Sequence, residues 1–173
     1  MPYSDAFGKA WAVPRYVAAA PGTVVDVGPG AGWWSNTLRP HHRAVWTAIE
    51  AWAPYVQDFG LEALYDTVLV GDVMHPFRRE VCRYADLVIF GDVLEHLDEA
   101  DARDLVTDLR DRGVGLLVSV PIVECPQGPV GGNPYETHRW HPSHEVMLDL
   151  VDPDAWDVKP DDHGVGVYWR GRR

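Results

Sequence analysis

The chain has 173 residues, enough for about one domain with a full hydrophobic core, and a composition of 46% hydrophobic and 24% charged residues is ordinary for a globular protein. No stretch approaches the ~18 consecutive apolar residues of a membrane span. The formal net charge of −11 disfavours a nucleic-acid partner, which normally requires a basic surface. The only cysteines, Cys82 and Cys125, fit no metal or redox spacing, so we expect reduced thiols and a cytoplasmic protein.

Short apolar runs alternate with helical patterns along the chain. Buried strands are predicted at Thr23–Val27, Ala44–Ile49, Thr67–Val70, Asp86–Phe90 and Gly115–Val120, and helices at Trp33–Leu38, Ala53–Leu64, Arg78–Arg83 and Asp98–Arg112. This alternation implies a parallel sheet with helices on both faces. The stretches AWDVKP and GVGVYWRG, joined by DDHG, predict an antiparallel hairpin at the end of the chain.

A glycine-rich turn follows the first strand, in the stretch VVDVGPGAGWWS. A P-loop needs Gly-Lys-Ser/Thr, and the only lysines, Lys9 and Lys159, lie elsewhere, so a triphosphate site is not predicted. A dinucleotide site needs a third glycine where Trp33 stands, and an indole there would obstruct packing of the helix on the strand. Asp26, which precedes the glycines, favours a ligand that carries positive charge.

Four stretches, in the expected order, resemble motifs of the class I S-adenosylmethionine-dependent methyltransferases, in particular the small-molecule enzymes of the ubiquinone-biosynthesis type. The motif residues are Asp26, Gly28, Gly30 and Gly32 around the turn, Glu50 and Ala51 after the second strand, Asp72 and Val73 in LVGDVMHPF, and Gly91 and Asp92 in ADLVIFGDVLEHL. The resemblance covers nearly all of Thr23 to Trp169. It implies a Rossmann-like α/β fold, a mostly parallel seven-stranded sheet that ends in an antiparallel hairpin.

The resemblance also implies a ligand and its contacts. The cofactor would be S-adenosylmethionine, the product S-adenosylhomocysteine, and the acceptor a small molecule methylated on oxygen or nitrogen. Glu50 would hold both ribose hydroxyls, and Asp72 would accept from the adenine amino group. The Val73 amide would contact the adenine ring, and the Gly91–Asp92 backbone would face the methionine moiety. The residue chemistry agrees, since carboxylates can accept from a diol and an amine while glycines let a nucleoside lie against backbone.

The segment Pro121–His144 follows the fifth strand and is too long and too polar for a simple connection, so we expect it to hold the acceptor. Methyl transfer to a protonated acceptor needs a base, and histidine has a suitable pKa. His138 and His141 in this loop, and His96 after the fourth strand, are the candidates. The expected substrate-binding residues are Asn133, Tyr135, Glu136 and Trp140.

The loop also offers possible metal ligands, because His138, His141 and His144 are spaced by three and Glu95–His96 could approach them. Pro142 is expected to start a helix that points these histidines in different directions, so the sequence predicts no metal. The alternative functions are a non-catalytic S-adenosylmethionine-binding partner or regulatory module and, more distantly, an oxidoreductase.

The expected domain organisation is an N-terminal lid segment, residues 1–22, followed by one methyltransferase domain, residues 23–173. The first segment is too short for the helical cap that many small-molecule methyltransferases carry. A lid would therefore come from this segment, with Tyr3 and Trp11 as candidates, from Pro121–His144, or from the second subunit of a homodimer.

Overall fold

The β-branched runs of the sequence pair into a single twisted sheet. The structure, a computed structural model, describes residues 6–159 and 164–173. Within these residues the strands are β1 (Thr23–Val27), β2 (Val45–Glu50), β3 (Thr67–Val70), β4 (Leu87–Gly91), β5 (Gly115–Pro121), β6 (Ala155–Val158) and β7 (Val165–Arg170). The spatial order is β3-β2-β1-β4-β5-β7-β6.

The pairing directions set where a ligand can bind. β1 to β5 run parallel, β7 pairs antiparallel with β5, and β6 pairs antiparallel with β7. β1 lies between β2 and β4, so the chain reverses its direction of travel across the sheet at the boundary between β1 and β4. In open α/β sheets a crevice forms beyond the carboxyl ends of the strands at such a point. The predicted parallel sheet with a terminal hairpin is confirmed, although the turn residues 160–163 lie outside the described part of the chain.

Helices cover both faces of the sheet, as predicted. They are α1 (Lys9–Ala19), α2 (Trp33–Leu38), α3 (Pro54–Asp58), α4 (Leu61–Leu64), α5 (Pro76–Arg83), α6 (Glu99–Asp111) and α7 (His144–Val151). Side chains of α5, α6 and α7 pack with one face in a single apolar cluster. Those of α1, α2 and α4 pack with the other. Among the described residues, no helix is both long enough and apolar enough to cross a membrane.

Two helical predictions need correction. The single helix expected over Ala53–Leu64 is broken at Phe59–Gly60, where Gly60 adopts a φ of 61° that ends α3 and begins α4. The sequence reasoning also missed α1, which contains Pro14. Its buried Ala12 and Tyr16 pack in the cluster with α2, so α1 forms part of the core on that face.

Candidate functional site

A cavity opens at the carboxyl edge of the sheet, at the reversal between β1 and β4. Its walls come from the turns that follow β1, β2, β3 and β4, and from the loop between β5 and α7. Eight of the ten predicted cofactor residues line it: Gly28, Gly30, Glu50, Ala51, Asp72, Val73, Gly91 and Asp92. Residues widely separated in the sequence therefore meet in one site.

The glycine turn forms the floor of the cavity. Gly28 has a φ of 60°, and a Cβ on this residue would lie 2.7 Å from Val93 Cγ2. Its amide donates to the Ile49 carbonyl at 2.8 Å, which ties the turn to the end of β2. Gly32 is the N-cap residue of α2 and does not line the cavity. The turn can thus bring bare backbone against a ligand.

Asp26 lies in β1, two residues before Gly28, and is not among the cavity-lining residues. Its Oδ2 accepts from the Tyr65 hydroxyl at 2.6 Å, and its buried Oδ1 has no hydrogen-bond partner among the described residues. Burial raises the pKa of Asp26 to about 7. The predicted direct contact of its side chain with a ligand therefore stays a prediction.

Glu50 is the buried acid of the cavity. Only 4% of the residue is exposed, and Oε1 accepts from the Trp52 amide at 2.8 Å. Burial, together with the nearby charges of Glu136 and Asp26, raises the pKa of Glu50 to about 7. A ligand with hydroxyl donors would stabilise the ionised form, because such donors replace the lost hydration.

Acidic residues also follow β3 and β4. Asp72 Oδ1 accepts from the Met74 amide at 2.8 Å in a turn that presents the residue to the cavity, next to the buried Val73. Asp92 has a φ of 57°, rare for a residue other than glycine. The Ser119 hydroxyl donates to Asp92 Oδ1 at 3.2 Å, and the Asp92 amide donates to the Ser119 carbonyl at 2.8 Å. These bonds hold the unusual backbone in place.

The loop between β5 and α7 brings three of the four predicted substrate residues, Asn133, Tyr135 and Glu136, to the cavity. The Tyr55 hydroxyl donates to Glu136 Oε1 at 3.1 Å, which joins α3 to the loop across the site. Trp140, the fourth, differs from the expectation. It packs in the apolar cluster of α6 and α7, where its amide donates to the Glu95 carbonyl, and it does not line the cavity.

The candidate histidines occupy different positions. His96 lines the cavity, and burial lowers its pKa. The ring of His138 lies edge-on to that of His96, with centroids 4.9 Å apart, and burial lowers its pKa as well. His141, with its ring 6.0 Å from that of His138, does not line the cavity. His144 starts α7 and places Nδ1 2.8 Å from the Tyr168 hydroxyl.

The expectation that the loop holds no metal stays a prediction. His138, His141 and His144 do diverge, because Ser143 caps α7 and His144 packs away from the loop. A different set, Glu95, His96 and His138, comes together, with one possible ligand atom from each within 4.8 Å of the others.

Several cavity residues were missed by the sequence reasoning. Tyr55, Met74, Leu97, Asp98, Asp101 and Arg139 all line the cavity. Most of them lie just after a strand end or in the turn that follows it, and this position could have identified them from the sequence. Arg139 could not be found this way, because its place depends on how the loop folds back. The amides of Arg139 and Trp140 both donate to the Glu95 carbonyl, at 2.8 and 3.2 Å.

The segment expected to form a lid is described only in part. Trp11 packs near the cluster of α1 and α2, with the Arg15 guanidinium 3.6 Å from its ring centroid, and it does not line the cavity. Tyr3 lies outside the described residues. The division into residues 1–22 and 23–173 stays a prediction.

Comparisons with known proteins reveal the fold but no close relative. The sequence matches no protein-family model and no curated protein sequence. Solved structures do match. One is an O-methyltransferase family protein from Burkholderia thailandensis, with a TM-score of 0.56 and 14% identity over 95% of this chain and 57% of that one. This chain therefore spans a little over half the length of that protein.

Two other structural neighbours are covered more fully. The N-terminal domain of EvdMO1, described in the presence of SAH and D-fucose, matches with a TM-score of 0.66 and 12% identity over 98% of this chain and 84% of that one. The 1,6-didemethyltoxoflavin-N1-methyltransferase from Burkholderia thailandensis, described with 1,6-didemethyltoxoflavin and S-adenosylhomocysteine, matches with a TM-score of 0.61 and 17% identity, covering 98% and 80%. The predicted Rossmann-like methyltransferase fold is confirmed by these matches.

Proposed function

We propose that this protein transfers a methyl group from S-adenosylmethionine to a small-molecule acceptor. The carrying observation is the buried Glu50 carboxylate at the end of β2, beside a glycine turn, in a cavity of a fold shared with proteins described with S-adenosylhomocysteine bound. A buried carboxylate with few partners calls for a ligand that brings hydroxyl or amine donors.

The cavity residues fit the cofactor. Glu50 would accept from both ribose hydroxyls, with Ala51 beside it, and Asp72 would accept from the adenine amino group. The positive φ of Gly28 and the absence of a Cβ leave room for the methionine part against the turn. Asp26 and Gly32 do not line the cavity, so they would act by supporting the turn.

When bound, the cofactor supplies an electrophilic methyl group: its carbon–sulfur bond breaks as a bond to acceptor oxygen or nitrogen forms, and the acceptor loses a proton. Alignment of the acceptor supplies much of the acceleration of such a displacement. Of the three candidate bases, His96 lines the cavity and His138 contacts it, so we assign proton removal to His96 with His138 behind it. His141 is the weakest candidate, because it does not line the cavity.

The charge of the cavity favours a neutral or cationic acceptor. Its described walls carry six carboxyl side chains, of Glu50, Asp72, Asp92, Asp98, Asp101 and Glu136, against the single guanidinium of Arg139. An anionic acceptor or a nucleic-acid backbone would meet repulsion at this surface. Asn133, Tyr135 and Glu136 would orient the acceptor.

Calorimetry with S-adenosylhomocysteine and with NAD tests the cofactor assignment. We expect binding of the first and none of the second; binding of NAD alone would contradict the proposal. Transfer of a labelled methyl group to a panel of neutral and cationic hydroxyl and amine compounds tests the activity. Binding without transfer to any acceptor would favour the non-catalytic module instead.

Two further parts of the proposal concern the cellular location and the oligomeric state of the protein. Free Cys82 and Cys125 support a cytoplasmic location, since oxidising compartments favour disulfides. A homodimer would supply a lid from a second subunit, and sedimentation measurements would detect it.

A further inference from the structure

Three side chains with metal-binding chemistry meet at the edge of the cavity. Glu95 and His96 belong to the short turn Leu94–His96 that follows β4, and His138 comes from the loop after β5. One ligand atom from each lies within 4.8 Å of the other two. The backbone amides of residues 139 and 140 donate hydrogen bonds to the Glu95 carbonyl. These bonds hold the adjacent His138 against this turn.

Both imidazoles are oriented as metal ligands usually are. His96 Nδ1 lies 3.2 Å from the Thr137 carbonyl oxygen, and His138 Nδ1 contacts the Cys125 carbonyl oxygen. A carbonyl oxygen only accepts, so each Nδ1 carries the proton in the neutral ring and each Nε2 keeps a free lone pair. Histidines that bind metal commonly donate their other ring N–H to a carbonyl in this way.

The Glu95 carboxyl group is the second, independent observation. The residue is 1% exposed, and its buried Oε2 has no hydrogen-bond partner among the described residues. A buried carboxyl oxygen without a partner costs free energy, and a bound cation would supply the missing interaction. No basic side chain among the described residues forms an ion pair with Glu95.

We propose that Glu95, His96 and His138 bind one divalent transition-metal ion. Two imidazoles and one carboxylate suit zinc, iron, cobalt or nickel, whereas magnesium and calcium prefer oxygen ligands. Three protein ligands leave positions open for another ligand. Because His96 lines the cavity, the open side of the ion would face the proposed acceptor site.

A bound ion would change the role of His96. As a ligand, His96 would no longer take a proton from the acceptor, and the ion would lower the pKa of a bound hydroxyl instead. This consequence rests on the proposed methyl transfer, whereas metal binding itself does not.

The test is titration of chelator-treated full-length protein with Zn²⁺ by calorimetry, repeated with Co²⁺ to record its visible spectrum. We expect one equivalent bound by the wild type. Glu95→Gln and His138→Gln should each weaken Zn²⁺ binding about 100-fold or more, since loss of even an outer partner costs roughly 10- to 100-fold. His41→Gln, which removes an exposed histidine outside the cavity, should leave the affinity unchanged.

Affinity for S-adenosylhomocysteine, measured on the same preparations, shows that each variant is folded and separates the two proposals. Absence of stoichiometric Zn²⁺ binding by the wild type, or wild-type Zn²⁺ affinity in either Glu95→Gln or His138→Gln, would overturn the metal site while leaving the proposed function standing. Stoichiometric Zn²⁺ binding that these variants lose supports the site even if S-adenosylhomocysteine fails to bind, which would overturn the proposed function alone.

Discussion

At the scale of single residues, Glu50 carries the most specific expectation. Its carboxylate is buried at a strand end, where the Trp52 amide donates to Oε1 and the backbone of Gly30 is a second hydrogen-bond partner. Glu50→Gln keeps the size of the side chain and removes the charge. We expect it to weaken S-adenosylhomocysteine binding roughly 10- to 100-fold, because a hydrogen bond to a charged group contributes roughly 1.5–3 kcal/mol.

The matched control is Glu62→Gln, which removes an exposed carboxylate from α4 outside the cavity. Calorimetry should give a wild-type dissociation constant for this variant. Equal affinity of Glu50→Gln and wild type would show that Glu50 does not hold the ribose.

The pH dependence of binding follows from the same carboxyl group. The pKa of Glu50 is raised to about 7 by burial, and ribose hydroxyls would bind the ionised form. Protonation therefore competes with the ligand below pH 7, so the affinity of the wild type should fall as the pH drops from 8 to 6. The loss of affinity between pH 8 and pH 6 should be smaller in Glu50→Gln. The loss that remains in this variant would come from protonation of Asp26, whose pKa is also about 7. An affinity that rises toward pH 6 would contradict this assignment.

Residue identities predicted the cavity lining at the strand ends better than the lining that comes from the loop between β5 and α7. Glu50 ends β2 and Asp72 lies two residues after β3, and the end of a strand fixes where such a side chain lies. Trp140 and His138 lie in a long loop. The position of each side chain there depends on contacts such as the hydrogen bonds that the loop amides donate to the Glu95 carbonyl. No local pattern encodes such contacts between distant segments.

At the scale of elements, the glycine turn between β1 and α2 offers a controlled comparison. Gly28 and Gly60 have nearly the same φ, 60° and 61°, but a Cβ would clash with Val93 at the first and meet nothing within 4 Å at the second. We expect Gly60→Ala to cost roughly 1–2 kcal/mol of stability through its backbone alone. Gly28→Ala should cost more and should also abolish S-adenosylhomocysteine binding.

Thermal unfolding and calorimetry of the two variants separate strain from recognition. Gly60→Ala should bind S-adenosylhomocysteine with wild-type affinity at a temperature where it is folded. If Gly28→Ala, once shown to be folded, binds equally well, then the ligand does not approach this turn.

The elements themselves were predictable to different degrees. The strands lie within one or two residues of their predicted bounds, because short β-branched runs between Gly, Pro and Asp leave few alternatives. The helix expected over Ala53–Leu64 is two helices, since Gly60 takes a left-handed conformation that a periodic apolar pattern does not reveal. The sequence analysis predicted no helix over α1. Pro14 lies inside this helix, and tertiary packing overrides its local cost.

At the scale of the whole molecule, stability comes from two apolar clusters, one on each face of the sheet. The face that carries α1 depends on side chains from the beginning of the chain. Tyr16 is fully buried there, with its ring centroid 6.0 Å from that of Trp46 on β2. α1 therefore packs as part of the same cluster as the sheet.

This packing leads to a prediction about folding. Tyr16→Ala should lower the free energy of unfolding by roughly 3–5 kcal/mol, as large-to-small changes of buried aromatic residues do, and unfolding in denaturant should remain a single transition. Val17→Ala on the same helix is the control, because Val17 is 46% exposed and its truncation should cost far less. A Tyr16→Ala variant that unfolds at the wild-type denaturant midpoint would show that α1 detaches independently and does not hold the core together, and the first 22 residues would then behave as the separate lid segment that the sequence suggested.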